Sequence, residues 1–167
     1  MGGHHSPVSE TTVWLTPPEI IETLGPFDLD PCAAPEPRPW DTANRHIALP
    51  EDGLLADWTG TVFLNPPYGA PSVVTPWMTK MADHNNGIAL IFARTETDMF
   101  FETVWKRATA LFFIRGRLFF CYPDGIKAGN NSGAPSVLIA YGWEMAKRLK
   151  EWNLMDGKYI EMKGTVV

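Results

Sequence analysis

Residues 87–92, Gly-Ile-Ala-Leu-Ile-Phe, form a run with no charge and no side-chain hydroxyl. Asn85 and Asn86 stop it on one side. It is too short for a helix and lacks the alternation of a strand with one wet face. It therefore reads as a strand covered on both faces. Residues 135–141 form a second apolar strand of this kind. A sheet with such strands at its centre must carry helices on both sides.

The rest of the chain supplies those helices. Residues 16–24 read as a short helix, with Thr16 as N-cap, Pro17 at the first helical position and Gly25 ending it. Residues 76–84 and 96–107 read as two more, the second with Met99, Phe100, Val104 and Trp105 on one side. Residues 143–152 read as the last. Shorter strands are expected at 27–30, 61–64, 110–114 and 118–122. The last two form a hairpin around Arg115-Gly116-Arg117, and the tail adds an edge strand. This alternation predicts an α/β fold: a doubly wound, mostly parallel sheet of Rossmann-like type in three layers, α/β/α. In such sheets ligands lie beyond the carboxyl ends of the strands. Asp30 and Asn65 both fall at such ends.

With 167 residues, one domain over 13–167 is expected after a flexible N-terminus at 1–12. No apolar run is long enough to span a bilayer, and no basic-then-apolar leader opens the chain. Two cysteines, Cys32 and Cys121, make no disulfide framework, and no zinc-ligand spacing appears; no metal is expected. These features point to a cytoplasmic protein. The net charge of −5 argues against nucleic-acid binding by bulk charge. A nucleic-acid enzyme would need a local basic face, and the stretch from Arg94 to Arg117, with Lys106, Arg107 and Arg115, offers one.

The sharpest chemical signal is Asn65-Pro66-Pro67-Tyr68, which follows the apolar strand Val62-Phe63-Leu64. The strand delivers Asn65 to the rim of the sheet, and two prolines stiffen the backbone behind it. The Asn65 side-chain carbonyl and the Pro66 backbone carbonyl are then fixed acceptors. An exocyclic amine carries two N–H donors, so two acceptors can orient its lone pair toward an electrophilic methyl group. Positioning and electrostatics carry such a reaction, and no strong base is needed. Tyr68 offers a ring on which a base can stack.

Asn-Pro-Pro-Tyr resembles the catalytic motif of amino-methyltransferases that use S-adenosylmethionine. The wider set is more specific. Trp14-x-Thr16-Pro17, Leu29-Asp30-Pro31-Cys32-Ala33, Asp52-Gly53-Leu54, Asp57-Trp58, Asn65-Pro66-Pro67-Tyr68-Gly69, Ala93-Arg94-Thr95-x-Thr97, Arg115-Gly116-Arg117-Leu118 and Ala134-Pro135-Ser136 together resemble the phage DNA N-6-adenine-methyltransferase (Dam) family. The likeness runs from about residue 13 to 141. It implies methylation of adenine N6 in DNA and a phage or prophage origin, with work in the cytoplasm of a bacterial host.

By that resemblance, Thr16 and Pro17 lie near the methionine end of the cofactor, with Asp30, Pro31, Cys32 and Ala33 against the same end. Asp57 accepts from the cofactor's adenine amine, and Trp58 packs beside that ring. Asn65, Pro66, Pro67 and Tyr68 hold the target base. Tyr68, Arg94, Arg115 and Arg117 are the substrate-binding set, and Asp52 is a candidate for the ribose. Each position also has a plain reading: Thr16 as a helix cap, Asp30 and Asp57 as turn residues, Arg115 and Arg117 as a solvated turn.

One departure stands out. Most methyltransferases carry Gly-x-Gly after the first strand, whereas this chain has Asp30-Pro31-Cys32-Ala33-Ala34-Pro35. No separate target-recognition domain is evident, so loops at 70–76 and 122–133 would read DNA, with the base flipped out of its stack. The same chemistry on cytosine N4, RNA adenine or protein glutamine stays open, as does an inactive nucleic-acid-binding module.

Overall fold

In the computed structural model, residues 13–162 are described; the expected flexible N-terminus at 1–12 lies outside them. Their elements run α1 (Pro18–Leu24), β1 (Leu29–Asp30), β2 (Arg45–His46), β3 (Val62–Leu64), α2 (Pro71–His84), β4 (Gly87–Phe92), α3 (Asp98–Phe100), β5 (Ala110–Ile114), β6 (Ser136–Tyr141), α4 (Trp143–Glu151) and β7 (Gly157–Glu161). The seven strands form one sheet in the order β2-β1-β3-β4-β6-β5-β7.

The expectation of helices on both faces holds. On one side α1 and α4 pack Ile20, Leu24, Met145 and Leu149 against Phe63, Ile88, Leu90 and Leu138. On the other, α2 and the turn after α3 pack Met78, Met81 and Val104 against Val62, Leu64, Ala89 and Ile139. Strand β4 is buried almost throughout, as its apolar run requires.

The expectation of a mostly parallel sheet needs correction. Pairs β1–β2, β1–β3 and β3–β4 are parallel, but β4–β6, β5–β6 and β5–β7 are antiparallel and carry the longer ladders. The sheet is mixed. An apolar run says that a strand is central; it does not say which way the strand points.

The hairpin expected at 110–122 does not form. Both edges of β5 are taken, by β6 and β7, so no edge is left for residues 118–122. That segment instead crosses the sheet rim, where Cys121 exchanges two backbone hydrogen bonds of 2.9 Å with Leu15. Helix α2 starts earlier than expected, at Pro71, and holds Pro76 inside it. The helix expected over 96–107 begins at Asp98, where the Thr97 hydroxyl accepts from the Phe100 N–H. It then widens into a π-helical turn, Phe101–Trp105. The Lys106 N–H reaches back five residues to the Phe101 carbonyl, and the Thr103 carbonyl accepts from the buried Tyr141 hydroxyl at 2.7 Å.

The carboxyl ends of β1, β3, β4 and β5 share one rim, as do the start of β6 and the segment crossing to Leu15. No helix among the described residues is long and apolar enough to cross a membrane. No group of three or more His, Cys, Asp or Glu among them could hold a metal ion.

Candidate active site

Two cavities open at this rim. The larger, about 350 Å³, is walled by the turn after β1, the loop 38–42, the loop 47–53 and the start of Asn65-Pro66-Pro67-Tyr68. The smaller, about 260 Å³, is walled by Phe92, Phe120 and residues 128–132. Trp14 and Tyr68 line both. The cavities therefore adjoin across these two side chains.

Asn65 lines the larger cavity, against Trp14. Its Nδ2 donates to the Trp14 carbonyl at 3.3 Å. This fixes the amide with Oδ1 left as acceptor, and Oδ1 is buried without a partner. Buried polar atoms are nearly always paired, so an orphan acceptor at a cavity wall marks a place for a ligand's donor. The Tyr68 hydroxyl is also buried and unpartnered. Its ring packs 4.5 Å from Phe92 and 5.8 Å, edge-on, from Phe120. Burial raises the Tyr68 pKa, so the phenol keeps its proton. An aromatic slot thus lies beside a fixed acceptor.

In the larger cavity Thr16, Asp30, Pro31, Cys32 and Ala33 all reach the wall, as do Pro66 and Pro67. Thr16 does not cap α1: the N-cap position falls on Pro17, and no side-chain cap bond forms. Instead the Thr16 hydroxyl is buried with no partner. Pro17 is buried but is not part of either cavity wall. Asp30 is 4% exposed. Its carboxylate accepts from the Cys32 N–H at 3.0 Å and from the Thr42 hydroxyl. Burial pushes the Asp30 pKa up to about 6, against the pull of these two bonds and the Arg38 charge. The Cys32 thiol is pushed up to about 12, first by burial and then by the charges of Asp30 and Asp52. It stays protonated and serves as wall, not nucleophile.

The Asp30 shift gives a signed expectation. Its ordinary value is 3.8 and its folded value about 6, so the fold favours the protonated form. Its contribution to stability is largest below about pH 4 and is lost as pH rises to about 6. Asp30→Asn removes this dependence. Without ligand, the unfolding free energy of the variant minus that of the wild type should rise by roughly 2 kcal/mol between pH 4 and 7, as measured by denaturant titration. A difference that stays flat over that range would show that Asp30 is not desolvated.

Gly53 also lines this cavity, where its chain turns against Pro31. A Cβ at this position would lie 1.9 Å from the Pro31 carbonyl oxygen. Gly53→Ala must therefore displace backbone in the cavity wall. A loss of about 3 kcal/mol is expected, visible as a lower melting temperature.

Other expected site residues are placed differently. Asp57 is exposed, and neither it nor Trp58 lines the cavity. Asp52 folds residues 52–56 into a turn, accepting from the Leu54 N–H at 2.9 Å. That turn carries the chain away from the rim. The Trp58 indole then donates to the Gly53 carbonyl at 2.8 Å and stacks on Trp77. Since Gly53 and Trp77 do line the cavity, Trp58 supports the wall from behind. Asp52 is in the wall itself.

The basic stretch splits in two. Arg94, Arg115 and Arg117 are exposed and follow β4 and β5, at the rim that holds the cavities. None lines a cavity, and Arg115 pairs with Asp156 at 2.9 Å. Lys106 and Arg107 precede β5 and so lie at the opposite rim, paired with Glu102 and Asp83. Sequence reasoning missed Trp14 as the shared wall, Arg38, Trp40 and Thr42 in the larger cavity, and Phe92 and Phe120 in the smaller. Nothing in the local sequence marked Arg38, a cation between two prolines.

Comparison with known proteins shows the family. The model of the family described as DNA N-6-adenine-methyltransferase (Dam) matches residues 3–155. The chain belongs to this family. A relative from Escherichia phage T1, described as a DNA N-6-adenine-methyltransferase, is 26% identical over 182 aligned residues, covering 95% of this chain and 72% of the relative. No solved structure matches. Membership places the chain among DNA adenine methyltransferases, enzymes that methylate N6 of adenine in DNA.

Proposed function

We propose that the two adjoining cavities divide the substrates of this DNA adenine methyltransferase: S-adenosylmethionine in the larger and a flipped adenine in the smaller. The observation that carries this is Asn65: it lines the larger cavity with an unpartnered Oδ1, and its amide is tied to Trp14, which lines both cavities. The larger cavity suits such a cofactor. Its volume falls within the usual range of ligand sites, and its walls are apolar with a few charges. The buried Asp30 carboxylate fits the ammonium of the methionine part, and the orphan Thr16 hydroxyl offers a further polar contact. Asp52 is the available partner for the ribose. When bound, S-adenosylmethionine supplies an activated methyl group on a sulfonium.

The remaining work falls to the chain's own groups. Asn65 Oδ1 and the Pro66 carbonyl accept the two N6 hydrogens of adenine and aim the nitrogen lone pair. Trp14 holds the Asn65 amide in the orientation this needs. Tyr68, with Phe92 behind it, stacks on the base. As N6 gains the methyl carbon, the carbon's bond to the sulfonium sulfur would break and leave a neutral thioether; both acceptors stabilise the positive charge that develops on nitrogen, and one N6 proton then passes to solvent. Arg94 and Arg117, exposed at the same rim, would meet phosphates. The sheet would then be a variant of the doubly wound methyltransferase type, with β6 inserted in reverse. The enzyme would act in the cytoplasm of a bacterial host.

The test is incubation with labelled S-adenosylmethionine and duplex DNA, then nucleoside analysis. N6-methyladenine is the expected product. Label on cytosine, or on RNA or protein alone, would overturn the assignment of the acceptor.

A further inference from the structure

The larger cavity holds a second buried charge that the reading above leaves unused. Arg38 lines it, and its side chain is only 10% exposed. Its Nη1 donates to the Ala34 carbonyl at 2.8 Å and its Nη2 to Glu36 at 2.5 Å. These bonds tie the guanidinium to the turn that follows Asp30. Its Nε is buried and has no partner. A buried guanidinium donor without an acceptor is costly, more so than a neutral one. Asp30 is buried in the same wall, close enough for the Arg38 charge to act on its titration. Beside the exposed Glu51 and Asp52, the cavity therefore presents one buried carboxylate, Asp30, and one buried guanidinium that is paired with Glu36 through Nη2 but keeps a free Nε. A ligand that carries both an ammonium and a carboxylate can satisfy both.

We infer that Arg38 binds the carboxylate of the cofactor's methionine moiety, so that Arg38 and Asp30 together recognise an amino-acid head group. The inference rests on the cofactor reading above. Its physical content is charge pairing inside a shielded cavity, where such a bond is stronger than at a surface. It also accounts for the missing Gly-x-Gly loop. Where glycines would let backbone N–H groups approach the ligand, this chain has Pro31, Ala33, Ala34 and Pro35, and a side chain takes over the anion.

The test compares two ligands by titration calorimetry: S-adenosylmethionine and decarboxylated S-adenosylmethionine, which keeps the ammonium and the sulfonium. The wild type should prefer the carboxylated ligand roughly 10- to 100-fold, the range expected of a hydrogen bond to a charged group. In Arg38→Gln, which retains a donor for the Ala34 carbonyl, that preference should vanish. Affinity for the decarboxylated ligand should stay as in the wild type. A variant that weakens both ligands equally would show a purely structural Arg38 and overturn the inference. So would a wild type that binds both alike, a result that needs no variant and leaves the cofactor reading intact. A wild type that binds neither would overturn the cofactor reading, and this inference with it.

Discussion

Asn65→Ala should lower the rate of N6-methyladenine formation about 100- to 1,000-fold, with cofactor affinity little changed. The magnitude is that of removing one preorganised polar contact to a charge that develops in the transition state. The loss should fall on kcat, because Asn65 Oδ1 has no partner in the resting protein and gains one only when the amine is in place. Asn65→Asp keeps an oxygen acceptor but puts an anion against the Trp14 carbonyl, which now accepts from Nδ2. It should retain more activity than the alanine variant and less than the wild type. Single-turnover kinetics with labelled cofactor would separate these cases. Full activity in Asn65→Ala would sink the assignment of the acceptor.

Phe63→Ala should be the most damaging substitution for stability among those considered. Phe63 lies at the centre of β3, is fully buried and packs on Phe27 with ring centroids 5.4 Å apart. It also lines the larger cavity, two residues before Asn65. Truncation removes apolar contacts and leaves a void under α1, at a cost of about 3–5 kcal/mol. For a domain of this size that lowers the melting temperature by roughly 10 °C. Saturating cofactor should recover only part of the loss, since the same void widens its site. A shift of roughly 2 °C or less in a thermal melt would mean that the core closes over the gap.

The positions of Asn65 and Phe63 were both legible in the sequence because they follow from local pattern. An apolar triplet must be a buried strand, and a polar residue that ends it must come out at the rim. The same logic located β4 and β5 to the residue, the helices to within a few residues, and the edge strand at the tail. Thr16 and the turn 30–33 also line the larger cavity.

Other features depended on contacts between distant segments. Burial on both faces placed β4 and β6 in the interior, but strand direction is set by how the chain returns, and β6 returns in reverse between β4 and β5. Residues 118–122 have strand composition, yet β7 occupies the edge they would need. The family resemblance gave Asp57 and Trp58 to the cofactor, yet the turn begun by Asp52 directs one to solvent and the other behind the wall.

Sequence by itself determined the layered α/β architecture and the rim at which Asn65 emerges, because hydrophobic periodicity and a rigid Asn-Pro-Pro-Tyr segment act over a few residues. Only the tertiary structure decided which side chains close the site. Trp14, Arg38 and Phe120 come from segments far apart in the chain and meet only because the sheet brings its rim together.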